Sequence, residues 1–189
     1  MRFYEYMYYP GIDNLSAQNG CYWAAIQCAS VARQLNKPFV LSELYGCTGW
    51  DMPLNEYKRI GDWQAIFGVN LRCPHLSWYS MKGEAKRDYP ASILHQNAWW
   101  RDWKELETYF GRIGLILSEG ERRSGLLVIH PVENMWKRVR KGWQKNLAPT
   151  DGETVRLNEA FQRQCLDLIA AQHEFDYGDE ELMKKYGSV

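Results

Sequence analysis

FVLSELYGCT, residues Phe39 to Thr48, decides how this chain reads. An apolar run leads into one carboxylate, Glu43, and breaks at Gly46; Trp50 and Asp51 follow at once. The spacing predicts a parallel strand over residues 39–44 that delivers a single charged side chain to a strand-end loop. Packing gives no reason for a charge there, whereas the functional groups of α/β barrels sit at the C-terminal ends of their strands.

Working outward, residues 3–7 read as a strand closed by a turn at Pro10-Gly11. Residues 18–35 read as a helix, with Trp23, Ile26, Ala29, Ala32 and Leu35 at helical spacing. Lys37-Pro38 ends it. Residues 55–67 predict a second helix, opened by Pro53 and closed by Gly68. A third strand starts at 69–73 and extends at most to Tyr79; a polar loop (80–97) and a long helix (99–117) follow. Strands alternating with helices are the pattern of parallel βα units. Three units do not close a barrel, so the pattern opens in mid-fold. Residues 1–120 form one expected domain, a piece of a barrel.

Composition then shifts. Arg122 and Arg123 precede GLLVIHPV (125–132), a continuous apolar run of the kind buried in parallel sheets. A Lys/Arg-rich stretch (137–152), an amphipathic helix (157–172), a short strand (175–178) and a charged helix (179–186) complete the pattern. Residues 121–189 are expected to begin a second α/β domain.

The bulk numbers narrow the function. Lys plus Arg and Asp plus Glu are 23 each, so no basic face invites nucleic acid. No 18-residue apolar run predicts a membrane span. Residues 1–10 lack the features of a secretory leader. Five cysteines, an odd count without a CxxC pair, favour reduced thiols over a disulfide framework or zinc knuckle. Reduced thiols point to the cytoplasm, and a leader further upstream would instead permit a periplasmic or secreted protein. Nine Trp, twelve Tyr and six Phe are many for 189 residues, and most of the Trp stand among polar neighbours. Such rings either fill a large core or offer faces on which the apolar C–H face of a sugar stacks.

Glu43 is read as a nucleophile or general base, or as a plain charge at a strand-to-loop junction; the apolar residues before it imply partial burial, which asks for a partner or a task. His75, in Cys73-Pro74-His75, can bond a sugar hydroxyl or orient Glu43, or be a core histidine satisfied by backbone. Tyr79 can donate to a carboxylate, or pack as a rim aromatic. Asp13 can bind a substrate hydroxyl, or cap a turn. Trp50 is a stacking platform beside the reacting carbon, or a loop plug. Arg87, in the charge run KGEAKRD (82–88), can meet an acidic sugar or be merely solvated. Cys47 is a nucleophile only if a His adjoins it. His173-Glu174 lacks the second His of a zinc protease motif, and no metal site or glycine-rich phosphate loop is recognisable.

YYPGID, VLSELYGCTGW, GVNLRCPHLSWYSMKGEAKRDYP and LLVIHPVENMW together resemble a group of large bacterial glycoside hydrolases of the α-L-rhamnosidase type (family 106). Their order is also similar to the family 42 β-galactosidases, and the resemblance covers nearly the whole chain. It implies the C-terminal part of a (β/α)8 TIM barrel, its sixth to eighth strands, followed by the beginning of a flavodoxin-like, glutamine amidotransferase-like doubly wound domain. It implies glycosidase activity on a carbohydrate substrate, with Glu43 in the place of the nucleophile, or of a base in the rhamnosidase type. Asp13, Trp50, His75 and Tyr79 remain substrate-binding candidates. The acid/base partner belongs to a strand outside this chain. No cofactor is expected for the chain, although the rhamnosidase type admits calcium in a parent protein. The isolated chain is expected to be inactive, with open sheet edges that favour homo-oligomers. The alternative is a non-catalytic carbohydrate-binding α/β module.

Overall fold

The computed structural model describes residues 1–16, 20–83, 93–146 and 148–187. The chain forms two compact units that meet in sequence at Arg122/Arg123; Arg2 groups with the second. Both units are α/β with parallel strands, and no closed barrel occurs among the described residues.

In the first unit, β1 (Gly11–Leu15), β2 (Leu41–Gly46) and β3 (Leu71–Pro74) form a parallel sheet in the order β1-β2-β3. The opening residues Arg2–Tyr6 make a 3-10 turn instead of a strand, because Tyr4 N–H bonds Met1 O and Met7 N–H bonds Tyr4 O. The ladder starts at Pro10, whose carbonyl accepts from Leu41 N–H at 2.8 Å. Proline has no N–H to give but its carbonyl is free to pair. β3 stops at Pro74 instead of running to Tyr79, with His75 N–H still bonding Leu44 O at 2.8 Å just beyond it.

Helices cover one face of this sheet. α1 (Tyr22–Gln34) presents the small buried side chains Cys28, Ala29 and Ala32 to Val40, Val69 and Ile12. Burial pushes the Cys28 thiol up to about 12, so it stays protonated and unreactive. α2 (Leu54–Ile66) and α3 (Trp103–Ser118) enclose a second cluster of Leu44, Tyr45, Tyr57, Ile60, Leu106 and Phe110. They meet at Gly61, where an added Cβ would stand 2.2 Å from Phe110 Cζ. Gly61→Ala is therefore expected to lower stability by about 1–3 kcal/mol through overpacking. The better helix propensity of Ala, about 1 kcal/mol, does not offset this. A shift of the urea midpoint to lower concentration checks it.

In the second unit, β4 (Leu126–Ile129) pairs in parallel with β7 (Phe175–Gly178), Leu126 opposite Phe175. Between them lie α4 (Val132–Trp136), the antiparallel pair β5 (Gln144–Lys145) and β6 (Ala148–Pro149), and α5 (Gly152–Ala170). α6 (Glu180–Tyr186) closes the unit. Caps set both longer boundaries: Asp151 accepts from Thr154 N–H at 2.9 Å and Asp179 from Glu181 N–H at 3.0 Å. The reading of GLLVIHPV as a fully buried strand is corrected here. Val128 is buried, but Leu126, Leu127 and Ile129 are exposed, because the described residues do not cover both faces of this two-stranded sheet.

Candidate functional site

The face of the first sheet opposite the helices carries Asp13, Glu43 and Cys73. Side chains alternate along a strand. Ser42 and Leu44 are buried against the helices, so Glu43 points the other way. Register places Asp13 beside Glu43 and Glu43 beside Cys73. Neighbouring strands lie about 4.8 Å apart, so two carboxylates and a thiol form one row.

A β-bulge then resets the alternation. Register passes from Asn14 opposite Leu44 to Leu15 opposite Gly46, leaving Tyr45 as the extra residue, with φ 71°. Its ring joins Leu44 on the helix side, where its hydroxyl donates to Tyr57 O at 3.1 Å and accepts from Arg72 at 2.8 Å. Gly46 returns to the Glu43 face. An added Cβ there would stand 3.1 Å from Leu15 Cδ2 and 3.4 Å from His75 Nδ1. Leu15, Gly46 and His75 thus make a second row, one layer nearer the strand ends. Bulges that re-aim side chains recur beside active sites.

Glu43 lies inside β2, three residues before its end at Gly46, and not at the strand terminus. Asp13 lies inside β1 and not in a loop after it, because the strand begins only after Pro10. His75 does follow the end of its strand. Tyr79 stands fully exposed, and its hydroxyl bonds no carboxylate among the described residues. Arg87 lies outside the described residues. Trp50 follows β2 and its ring stacks on Trp78, a partner the sequence offered only as one more Trp in a polar segment.

Ser16, Cys47, Thr48, Asp51 and Met52 line a depression of about 280 Å³ at the C-terminal ends of β1 and β2. Ser16 N–H bonds Gly46 O at 2.6 Å, and the Thr48 hydroxyl donates to Tyr45 O at 2.6 Å, tying the rim to the bulge. Strand ends of this polarity are where α/β folds bind ligands. No three His, Cys, Asp or Glu side chains converge at metal-ligand spacing among the described residues.

In the second unit, His130 follows β4 and lies against the rings of Phe161 and Tyr177, with centroids at 5.2 and 6.1 Å. Burial holds its pKa down at about 4, against 6.5 ordinarily. The unfolded chain therefore binds the proton first, and stability is expected to fall as pH drops from about 6.5 to about 4. Partial exposure limits the loss to about 1–2 kcal/mol. Urea unfolding at pH 7.5 and 4.5, with His130→Phe flattening the difference, checks it. Buried Asp179 at the end of β7 pairs with Arg2 at 3.1 Å and caps α6, so it is structural.

An open parallel sheet with a polar row and a strand-end depression defines an α/β scaffold of the kind that carries sites at strand ends. No family model and no curated protein matches the chain. Among solved structures it is similar to a rhamnosidase from Novosphingobium sp. PP1Y, with 15% sequence identity and a TM-score of 0.54. The likeness covers 93% of this chain and 16% of that one. At that identity it shows a shared α/β fold.

Proposed function

We propose that this chain is part of a glycoside hydrolase. β1, β2 and β3 are taken as adjacent strands of a (β/α)8 barrel, and the second unit as the start of a flavodoxin-like domain. The observation that carries this reading is the row Asp13–Glu43, with His75 one layer above it, on the face a barrel would enclose. The likeness to a rhamnosidase along almost the whole chain supports it.

In this reading Glu43 activates water or attacks the anomeric carbon, Asp13 accepts from a substrate hydroxyl, and His75 bonds a second hydroxyl or orients Glu43. The transition state is oxocarbenium-like, and the proton donor comes from another strand of the complete barrel. The edges of β1 and β3 accept further strands in the complete protein. In the isolated chain those edges pair with other copies, so size-exclusion chromatography should show species larger than a 22.2 kDa monomer. Terminal α-L-rhamnosides are the substrates to assay first. Release of p-nitrophenol from the aryl α-L-rhamnoside by the complete protein supports the reading. A protein inert towards every aryl glycoside counts against it.

A second reading, a carbohydrate-binding module without catalysis, is favoured by the exposed Trp50 ring. It predicts saccharide binding that survives loss of Glu43 and is never accompanied by turnover.

A further inference from the structure

Trp50 lies on Trp78 with ring centroids 5.6 Å apart and planes inclined by 26°. This is the offset-stacked geometry aromatic pairs prefer. Trp78 is 8% exposed and Trp50 44%. One face of Trp50 is covered by Trp78, so the exposed area is its other face and rim. The backbone is held as well, since Trp50 O accepts from the side-chain amide of buried Asn97 at 3.5 Å. The outer indole is a flat apolar plate fixed from behind. It sits in the loop between Thr48 and Asp51, two of the residues lining the strand-end depression.

We propose that the Trp50–Trp78 stack is the sugar platform of this site, and that it selects uncharged pyranose rings over uronic acids. This deepens the glycoside hydrolase reading and rests on it. The C–H face of a pyranose packs on an indole and leaves its hydroxyls at the ring edge. There Thr48 and Asp51 offer a hydroxyl and a carboxylate to pair with them. The same carboxylate repels a uronate. Among the described residues, those lining the depression, Ser16, Cys47, Thr48, Asp51 and Met52, include no cation to compensate. Trp78 fixes the outer ring before the sugar arrives, so little ordering entropy is lost on binding.

The test is an NMR titration of the 189-residue chain with methyl α-L-rhamnopyranoside, methyl β-D-galactopyranoside and D-galacturonic acid. At least one neutral glycoside is expected to shift the Trp50 indole N–H, with the uronate about tenfold weaker or more. Trp50→Ala should weaken the neutral glycoside by about tenfold or more, Trp50→Phe less, and Asp51→Asn should narrow the gap to the uronate. Should Trp50→Ala fail to fold, the wild-type Trp50 resonance and the Trp50→Phe variant decide. Binding unchanged in Trp50→Ala or Trp50→Phe, a uronate bound as tightly as the neutral sugars, or no shift with any of the three overturns the proposal. Sugar binding on Trp50 without turnover in the complete protein would sink the hydrolase reading and leave the platform. Turnover insensitive to Trp50→Ala would do the reverse.

Discussion

On the proposed hydrolase reading, Glu43→Gln in the complete protein is expected to lower kcat by about 10²- to 10⁴-fold, the range a positioned acid or base contributes, with sugar binding nearly unchanged. Gln keeps the shape of the side chain and removes its charge and basicity. Glu43 is half-buried and its carboxylate bonds no other described residue, so the swap leaves no partner stranded. The melting curve should therefore move by no more than about 0.5 kcal/mol. If Glu43 were merely a charge on a sheet, turnover would survive the change, and that result would end its catalytic assignment. The anomeric form of the first product, read by NMR, divides the two roles. Retention makes Glu43 the nucleophile, and inversion makes it the base that activates water. Asp13→Asn provides the contrast. A residue that binds a hydroxyl raises KM more than it lowers kcat, whereas an equal fall in kcat would give Asp13 a share of the chemistry.

The strand Phe175–Gly178 was legible to the residue, because β-prone FDYG is bounded by polar residues on one side and a capping Asp on the other. The opening segment was not. RFYEYM is rich in the aromatic residues that strands favour, but composition says nothing about whether a neighbouring strand is there to pair with, and local bonds won. The stretch 39–48 was legible as a strand and not in its end. Gly46 looked like a terminator and is the last residue of β2, whose polar–apolar alternation is broken by the bulge at Tyr45. Without that bulge, counting by twos would put Tyr45 on the Glu43 face and Gly46 on the helix side. With it, Gly46 comes to lie beside His75 on the Glu43 face, a juxtaposition no spacing in the sequence reveals. Trp50 could be singled out by its place beside the strand end. Trp78 could not, since a stack between two loops depends on tertiary structure.

Arg72→Ala is expected to cost about 2–4 kcal/mol of stability, from a cation–π contact and charge-assisted hydrogen bonds lost together. The guanidinium carbon lies 3.7 Å from the centre of the Phe110 ring. Its nitrogens bond Glu107 at 3.1 Å and the Tyr45 hydroxyl at 2.8 Å. Arg72 is 13% exposed and Glu107 43%, so Glu107 regains water when its partner goes and the cost stays below that of a stranded buried charge. Lys is a poor substitute, because a point charge on a flexible stem cannot cover a ring and reach two acceptors at once. Glu107→Gln should cost less than about 1 kcal/mol for the same reason of exposure. Arg72 also reaches the site. It anchors Tyr45, Tyr45 is the bulge, and the Tyr45 carbonyl holds Thr48 in the loop that carries Cys47 and Trp50. Alkylation of exposed Cys47 reports on that loop below the melting range. Arg72→Ala should change its rate before unfolding begins, whereas His130→Phe, a substitution in the second unit, should not. Equal rates in both variants would leave Arg72 a packing residue alone.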